Sequence, residues 1–310
     1  MNKVVIIVGP TAVGKTKLSI RLAQRIGGEI VSADSRYIYR GMDIGSAKPT
    51  MVEREGVPHH MIDIADPDET WSLAQYFDTS RQKIEEILAR RNIPVVVGGT
   101  GQYIRALTEG WKVPALEPNP ELRRVLGEWA EEIGPFELYH KLGMLDQEAC
   151  AFIDSSNVRR TIRALEVILT TGYKFSDLRT KTPPENDFWI IGLTLPRPLL
   201  YDNVDRRIEE MFDIGLIEEV RYLLEKGYDA ALPSMSAIGY REVAQFLSGM
   251  INLDEVKLLM RRNTRKFIRR QANWFKPDDP SIHWYSNEDD PLDTIVRDIQ
   301  ETFLVNGKSQ

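Results

Sequence analysis

Gly9-Pro10-Thr11-Ala12-Val13-Gly14-Lys15-Thr16 reads as G-x-x-x-x-G-K-[ST], a spacing whose chemistry is anion binding. Its glycines let the backbone wrap an anion, so that N–H groups and the positive end of the following helix face it. Lys15 adds a point charge, and the Thr16 hydroxyl can be placed on a magnesium ion. On these residues alone the ligand is a polyphosphate, either a nucleotide or another pyrophosphate compound. Ser32-Ala33-Asp34-Ser35-Arg36 brings a carboxylate. Asp34 can serve as a metal ligand, a general base or a helix N-cap, and the pattern alone leaves these open.

A third chemistry-bearing region is cationic. Residues 257–276 contain eight basic side chains and no acidic one. Arg261, Arg265 and Arg269 recur every four positions, as do Arg262, Lys266 and Arg270, so a helix would carry two adjoining basic rows. Met260, Phe267, Gln271 and Trp274 lie on another side, suited to packing on a core. A solvated charged face usually mixes both signs, so an all-basic stripe points to a phosphate backbone. Arg159, Arg160 and Arg163 form a second basic cluster, to which Arg123 and Arg124 add charge. His59 and His60 are adjacent and cannot face the same way in an extended segment. With no nearby Cys or further His at ligand spacing a metal site is not expected, and at least one of the two is expected to be a hydrogen-bonding loop residue. The six Trp, including Trp111, Trp129 and Trp274, are expected to pack.

The elements that must position these groups alternate. Residues 3–8 form an apolar, β-branched run closed by Gly9-Pro10, as in a buried strand. Leu18, Leu22 and Ile26 fall on one helix face that Gly27-Gly28 ends. A second strand is expected at 29–33, a helix at 72–91 after Ser72, and a third strand at 94–97. Strands separated by helices imply a parallel sheet covered on both faces. The run from Pro114 to Pro120 holds three prolines and marks a boundary. Beyond it, residues 121–172 read as helical, until Thr182-Pro183-Pro184 precedes a β-rich run at 188–195. Helices at about 199–226, 238–248 and 253–275, a strand at 282–285 and a final helix complete the pattern. The expected fold is α/β, a P-loop NTPase-like parallel-sheet core (1–116 and 188–310) flanked by helices, with an all-helical insertion at 117–187.

At about 150 residues per domain, 310 residues suit two domains or one core with an insertion. The chain has 40 Lys+Arg against 46 Asp+Glu, a formal net charge of −6, with 42% apolar residues. Such usage excludes wholesale disorder. A single Cys, Cys150, excludes an intrachain disulfide framework and a Cys-based zinc site, and points to a reducing compartment. The apolar run at 4–8 is too short for a signal segment or a membrane span, so a cytoplasmic protein without membrane contact is expected.

Several further motifs stand in order along the chain: Tyr39-Arg40-Gly41-Met42-Asp43-Ile44-Gly45-Ser46-Ala47-Lys48-Pro49, Pro58-His59-His60-Met61-Ile62-Asp63, Val97-Gly98-Gly99-Thr100-Gly101-Gln102-Tyr103, Arg163-Ala164-Leu165-Glu166-Val167 and Ile238-Gly239-Tyr240-Arg241-Glu242. Together with residues 9–16 and 32–36, they make the chain resemble the bacterial tRNA dimethylallyltransferase (tRNA isopentenyltransferase) family over about residues 9–275. These enzymes move a five-carbon group from dimethylallyl diphosphate to N6 of adenosine 37, beside the anticodon, in tRNAs reading codons that begin with U. The resemblance implies that residues 9–16 take the donor's diphosphate, not ATP, with Mg²⁺ on Thr16. It makes Asp34 the general base for the N6 proton, and Arg207 an arginine that reaches the diphosphate. Thr100 helps to hold the target nucleotide, which leaves the anticodon stack to enter a channel lined by Asp34, Ser35, Arg36 and Tyr37. It also implies tRNA contacts at Arg123, at Arg159, Arg160, Thr161, Ile162 and Arg163, and at Ser236, Ala237, Ile238, Gly239, Tyr240 and Arg241. The expected partners are the tRNA anticodon stem-loop and dimethylallyl diphosphate, bound by a monomer.

Several positions depart from the family pattern. Val13 replaces the usual Ser or Ala, in a loop whose contribution is mainly backbone. Ser46 replaces Thr, and Gln102 replaces Leu, where it is expected to alter packing beside Thr100. Residues 153–157 and 267–273 also differ, which touches tRNA contacts and leaves the diphosphate chemistry intact. Three alternatives remain: an isopentenyltransferase acting on free AMP, a P-loop small-molecule kinase, and an RNA-binding module that uses nucleotide as a switch.

Overall fold

The computed structural model describes residues 2–111, 116–178 and 180–304. Pro114 and Ala115 of the proline-rich boundary lie outside the described residues. The chain forms two compact units, one of Met1–Ser72, Tyr76–Thr108 and Pro184–Gln310, the other of Leu73–Gln75 and Glu109–Pro183.

Along the chain run β1 (Asn2–Val8), α1 (Lys15–Ile26), β2 (Gly28–Ser32), β3 (His59–His60), α2 (Leu73–Ala89), β4 (Ile93–Val97) and α3 (Gly101–Thr108). The helical block holds α4 (Pro120–Ile133), α5 (Pro135–Leu145), α6 (Val158–Thr171) and α7 (Phe175–Leu178). Then come β5 (Asn186–Thr194), α8 (Arg197–Asp213), α9 (Leu216–Glu225), α10 (Tyr240–Leu247), α11 (Leu253–Ala272), β6 (Ile282–Ser286) and α12 (Leu292–Asp298).

Six parallel strands make one sheet in the order β3-β2-β4-β1-β5-β6. Successive strand residues point to opposite faces, so the complete burial of residues 4–8 means that both faces of β1 are covered. β1 lies between β4 and β5, and the chain passes over the β4 position on its way to β2. In such sheets ligands bind beyond the carboxyl ends of the strands. The loops that carry residues 9–16, Asp34 and Thr100 follow β1, β2 and β4 at that edge.

Two local expectations differ from the structure. The helix expected over about 199–226 is two helices, because Gly215 adopts a left-handed φ of 102° and ends α8 before α9 begins. His59 and His60 form a two-residue edge strand beside β2, a segment too short to show periodicity. The His59 Nδ1 lies 2.8 Å from the Val57 carbonyl, and the His60 Nε2 lies 2.6 Å from buried Glu29.

The second unit packs α4, α5 and α6 around Leu126, Ala130, Leu138, Leu142, Ala164 and Leu165. Two of its helices, α4 and α6, start on side-chain caps: Asn119 accepts from the Leu122 N–H, and Asn157 from the Arg160 N–H.

Candidate active site

One cleft of about 1020 Å³ in the first unit is lined by Lys15, Thr16, Asp34, Ser35, Arg36, Tyr37, Thr100 and Arg207. Residues from β1, β2, β4 and α8 thus converge although the sequence scatters them over nearly two hundred positions. Lys15 donates to the Gly9 carbonyl at 3.0 Å and the Pro10 carbonyl at 2.8 Å. Burial brings its ammonium down to about 8, against the field of Asp34, which raises it, and with that of Arg207, which lowers it further. Lys15 and Asp34 therefore sense each other across the cleft. No backbone strain is needed to aim Asp34: its carboxylate accepts from the Arg36 N–H at 2.9 Å in an Asx turn.

The Asp34 loop is stitched to the Thr100 loop. Ala33 N–H donates to the Val97 carbonyl, Thr100 N–H to the Ala33 carbonyl, and Ser35 N–H to Thr100 Oγ1 at 3.3 Å. Arg36 reaches across to the Pro233 and Ser234 carbonyls and to Ser236 Oγ. The Tyr37 hydroxyl donates to the Ala47 carbonyl at 2.7 Å and accepts from the Thr16 side chain. Burial raises the Tyr37 phenol to about 12, so it stays protonated. Arg207 donates to the Ser46 carbonyl at 3.2 Å. That segment is itself fixed by Glu219, which accepts from the Asp43, Ile44 and Gly45 N–H groups and from the Tyr240 hydroxyl.

The expected RNA-facing residues divide by exposure. Ser236, Ala237, Ile238 and Arg241 line the cleft, while Gly239 is buried and Tyr240 is fully buried against Glu219. Arg159 and Arg160 are exposed on α6, whereas Thr161 is buried and Ile162 half-buried. Arg123 and Arg163 both pair with buried Glu166, at 2.9 and 2.6 Å. Burial works against that charge, yet the two arginines hold the Glu166 carboxyl below its usual range. On α11, Arg261 pairs with Glu209 and Arg265 with Asp205, so the expected all-basic stripe is partly neutralised by α8. Periodicity within α11 could not reveal acids supplied by another helix. Arg262, Lys266, Arg269 and Arg270 are exposed and make no ion pair among the described residues. Lys266 and Arg270 reach the cleft beside Phe267, which is 39% exposed and not packed away as its spacing suggested.

Two departures from the family pattern take definite form. Val13 contributes more than backbone, since its side chain is buried. Gln102 is exposed on α3. Glu219, Asn203, Asn287 and the hydrogen bonds of Gln271 escaped the reading of the sequence. Each is an isolated polar residue in a polar or amphipathic stretch, without a spacing signal.

The family model described as IPP transferase matches residues 37–278, and one described as isopentenyl transferase matches residues 2–69. The chain is 51% identical over 276 residues to a tRNA dimethylallyltransferase of Roseiflexus sp. (strain RS-1), covering 89% of this chain and 90% of that protein. It is 42% identical to the tRNA dimethylallyltransferase of Dehalococcoides mccartyi, over 97% of this chain and 93% of the relative. Its fold matches the crystal structure of the Bacillus halodurans tRNA isopentenylpyrophosphate transferase with a TM-score of 0.72 at 39% identity, over 97% of this chain and 96% of the other. A eukaryotic dimethylallyltransferase acting on tRNA aligns with a TM-score of 0.81 at 26% identity, over 99% of this chain and 80% of that one. With a cleft that joins an anion loop to a carboxylate, and with these likenesses along nearly its whole length, the chain belongs to the IPP transferase family.

Proposed function

We propose that this protein transfers the dimethylallyl group of dimethylallyl diphosphate to N6 of adenosine 37 in tRNAs that read codons beginning with U. The observation that carries the reading is the convergence of Lys15, Thr16, Asp34, Thr100 and Arg207 on one cleft. In this reading the loop at 9–16 takes the diphosphate, with Lys15 and Arg207 as its charge partners. The adenine amine is a poor nucleophile because its lone pair is delocalised into the ring. Asp34 takes one N6 proton as the N6–C1 bond forms and the C1–O bond to the diphosphate breaks. The electron pair of that bond leaves on the diphosphate, where loop N–H groups, Lys15 and Arg207 stabilise the developing charge. Thr100 accepts from Ser35 N–H and thereby keeps the Asp34 loop beside the channel in which the extruded nucleotide sits.

The donor set also suits Mg²⁺. Thr16, next to Lys15 in the phosphate loop, is one of the hydroxyls that line the cleft, and among the described residues no cluster of three His, Cys, Asp or Glu could hold a metal by itself. Thr16 is the residue that would hold the ion, with the substrate's diphosphate completing its oxygen ligands. Mg²⁺ there would supply charge stabilisation of the leaving group.

Exposed Arg159, Arg160, Lys266, Arg269 and Arg270, with Arg36 and Arg241, are the residues proposed to meet the anticodon stem-loop. Arg123 and Arg163 hold the local fold through Glu166, and contact RNA only with their remaining donors. No described helix is long and apolar enough to cross a membrane, and the single Cys supports a cytoplasmic setting. Labelled dimethylallyl diphosphate, Mg²⁺ and unmodified tRNA should yield N6-dimethylallyladenosine and diphosphate. Exclusive labelling of free AMP, or consumption of ATP in its place, overturns the reading.

A further inference from the structure

Three carboxamide side chains, from elements remote in sequence, grip three successive residues of the phosphate loop. Gln271 of α11, only 3% exposed, accepts from the Thr11 N–H at 2.8 Å. Asn203 of α8 donates Nδ2–H to the Ala12 carbonyl at 3.2 Å. Asn287, just beyond β6, donates Nδ2–H to the Val13 carbonyl at 2.7 Å. The orientations are fixed at both ends. The Gln271 amide also donates to the Gly99 carbonyl at 3.2 Å, and Asn203 Oδ1 accepts from Arg206 at 2.8 Å. The contact at Gly99 is so close that a Cβ there would lie 2.0 Å from Gln271 Nε2.

We infer that Gln271, Asn203 and Asn287 form a collar that sets the phosphate loop in its anion-binding conformation before any ligand arrives. They act as positioning residues, an inference that rests on the proposed diphosphate chemistry. In a trans peptide the C=O and the next N–H point in opposite directions. Drawing the Ala12 and Val13 carbonyls toward Asn203 and Asn287 therefore turns the Val13 and Gly14 N–H groups the other way. No acceptor among the described residues takes either N–H. The same rule works in reverse at Thr11: its N–H goes to Gln271, and the Pro10 carbonyl on the other side of that peptide accepts Lys15. Gln271 thus fixes the resting place of the ammonium as well as the loop. Ala12, in a left-handed conformation at φ 66°, needs such support, because a residue with a Cβ is disfavoured there.

The choice of amides follows from charge. A carboxylate at any of the three positions would repel the diphosphate, and an ammonium would compete with Lys15 for it. A neutral amide orients the backbone without adding to the field. Gln271 extends the grip to the Gly99 carbonyl beside Thr100 and stands one residue from Arg270 on α11.

The test is calorimetric titration of the intact protein with inorganic diphosphate and Mg²⁺, which needs no prenyl transfer and so reads the collar separately from the proposed reaction. Asn203→Ala, Asn287→Ala and Gln271→Met should each weaken diphosphate binding by about five- to tenfold, the share expected of one neutral hydrogen bond. Binding of tRNA should stay within twofold of the unsubstituted protein. A merely structural role lowers thermal stability and leaves diphosphate affinity in the folded protein unchanged. Affinities within twofold of the parent in all three folded variants overturn the inference. Should a truncation prevent folding, Asn203→Asp and Asn287→Asp preserve shape while removing the donor and adding charge. These should lose more than tenfold, and an unchanged affinity there overturns it equally.

Discussion

Titrating Lys15 tests the electrostatics of the cleft directly. In the free protein burial brings its ammonium down from 10.5 to about 8. A diphosphate beside it favours the charged form, so binding at pH 8 should draw about half a proton into the protein. The protonated fraction of such a group is about nine-tenths at pH 7 and about one-tenth at pH 9. Diphosphate affinity should therefore be nearly full at pH 7, about half at pH 8 and about tenfold lower than at pH 7 by pH 9, or about 1.4 kcal/mol. The titration is read with dimethylallyl diphosphate, a monoester whose last ionisation resembles that of a phosphomonoester at about 6 and contributes little over that range. Calorimetry in two buffers of different ionisation enthalpy measures the proton count. Lys15→Met should bind more weakly, and its affinity should not vary over the same interval. The same substitution should stabilise the free protein by about 1–3 kcal/mol at pH 7, because below pH 8 the fold must keep a charge in a poorly solvated place. That gain should shrink as pH rises from 8 towards 10.5. An equal proton uptake in Lys15→Met, or none in the parent, refutes the reasoning.

Three further outcomes can be checked. Asp34→Asn should lower single-turnover prenyl transfer by about 10²–10⁴-fold while tRNA and diphosphate still bind, as filter binding and calorimetry would show; an unimpaired rate removes Asp34 as the base. Buried Glu29 is held down to about 2, chiefly by its hydrogen bond to Arg90, against burial, with Asn92 and His60 assisting. Urea unfolding should find Glu29→Gln about 2–3 kcal/mol less stable at pH 7, a difference that fades as pH falls from about 4.5 toward 2. Lys266→Ala with Arg270→Ala should weaken tRNA binding and reduce the slope of log affinity against log salt by about 1–2, with diphosphate affinity retained.

Residues 9–16 show their chemistry in the sequence because an anion loop is built from contiguous backbone, and its spacing between a strand and a helix is local. The apolar run of β1 likewise declares a strand buried on both faces. Asp34 could be placed at the same sheet edge by the alternation of strands and helices, although its role as base and not cap comes from resemblance, not from spacing. Other features depend on partners that spacing along the chain does not mark. That Arg261 and Arg265 spend their charge on Glu209 and Asp205, while Lys266 and Arg270 stay open, is decided by how α8 lies against α11. Arg163 stands in a basic cluster in the sequence, and the structure adds that it pairs with buried Glu166. Gln271, Asn203 and Asn287 carry no periodic or motif signal, because an amide becomes a positioning group only when tertiary packing brings a backbone N–H or carbonyl within about 3 Å of it. Local backbone preference is written in neighbouring residues; the pairing of isolated polar groups is written only in three dimensions.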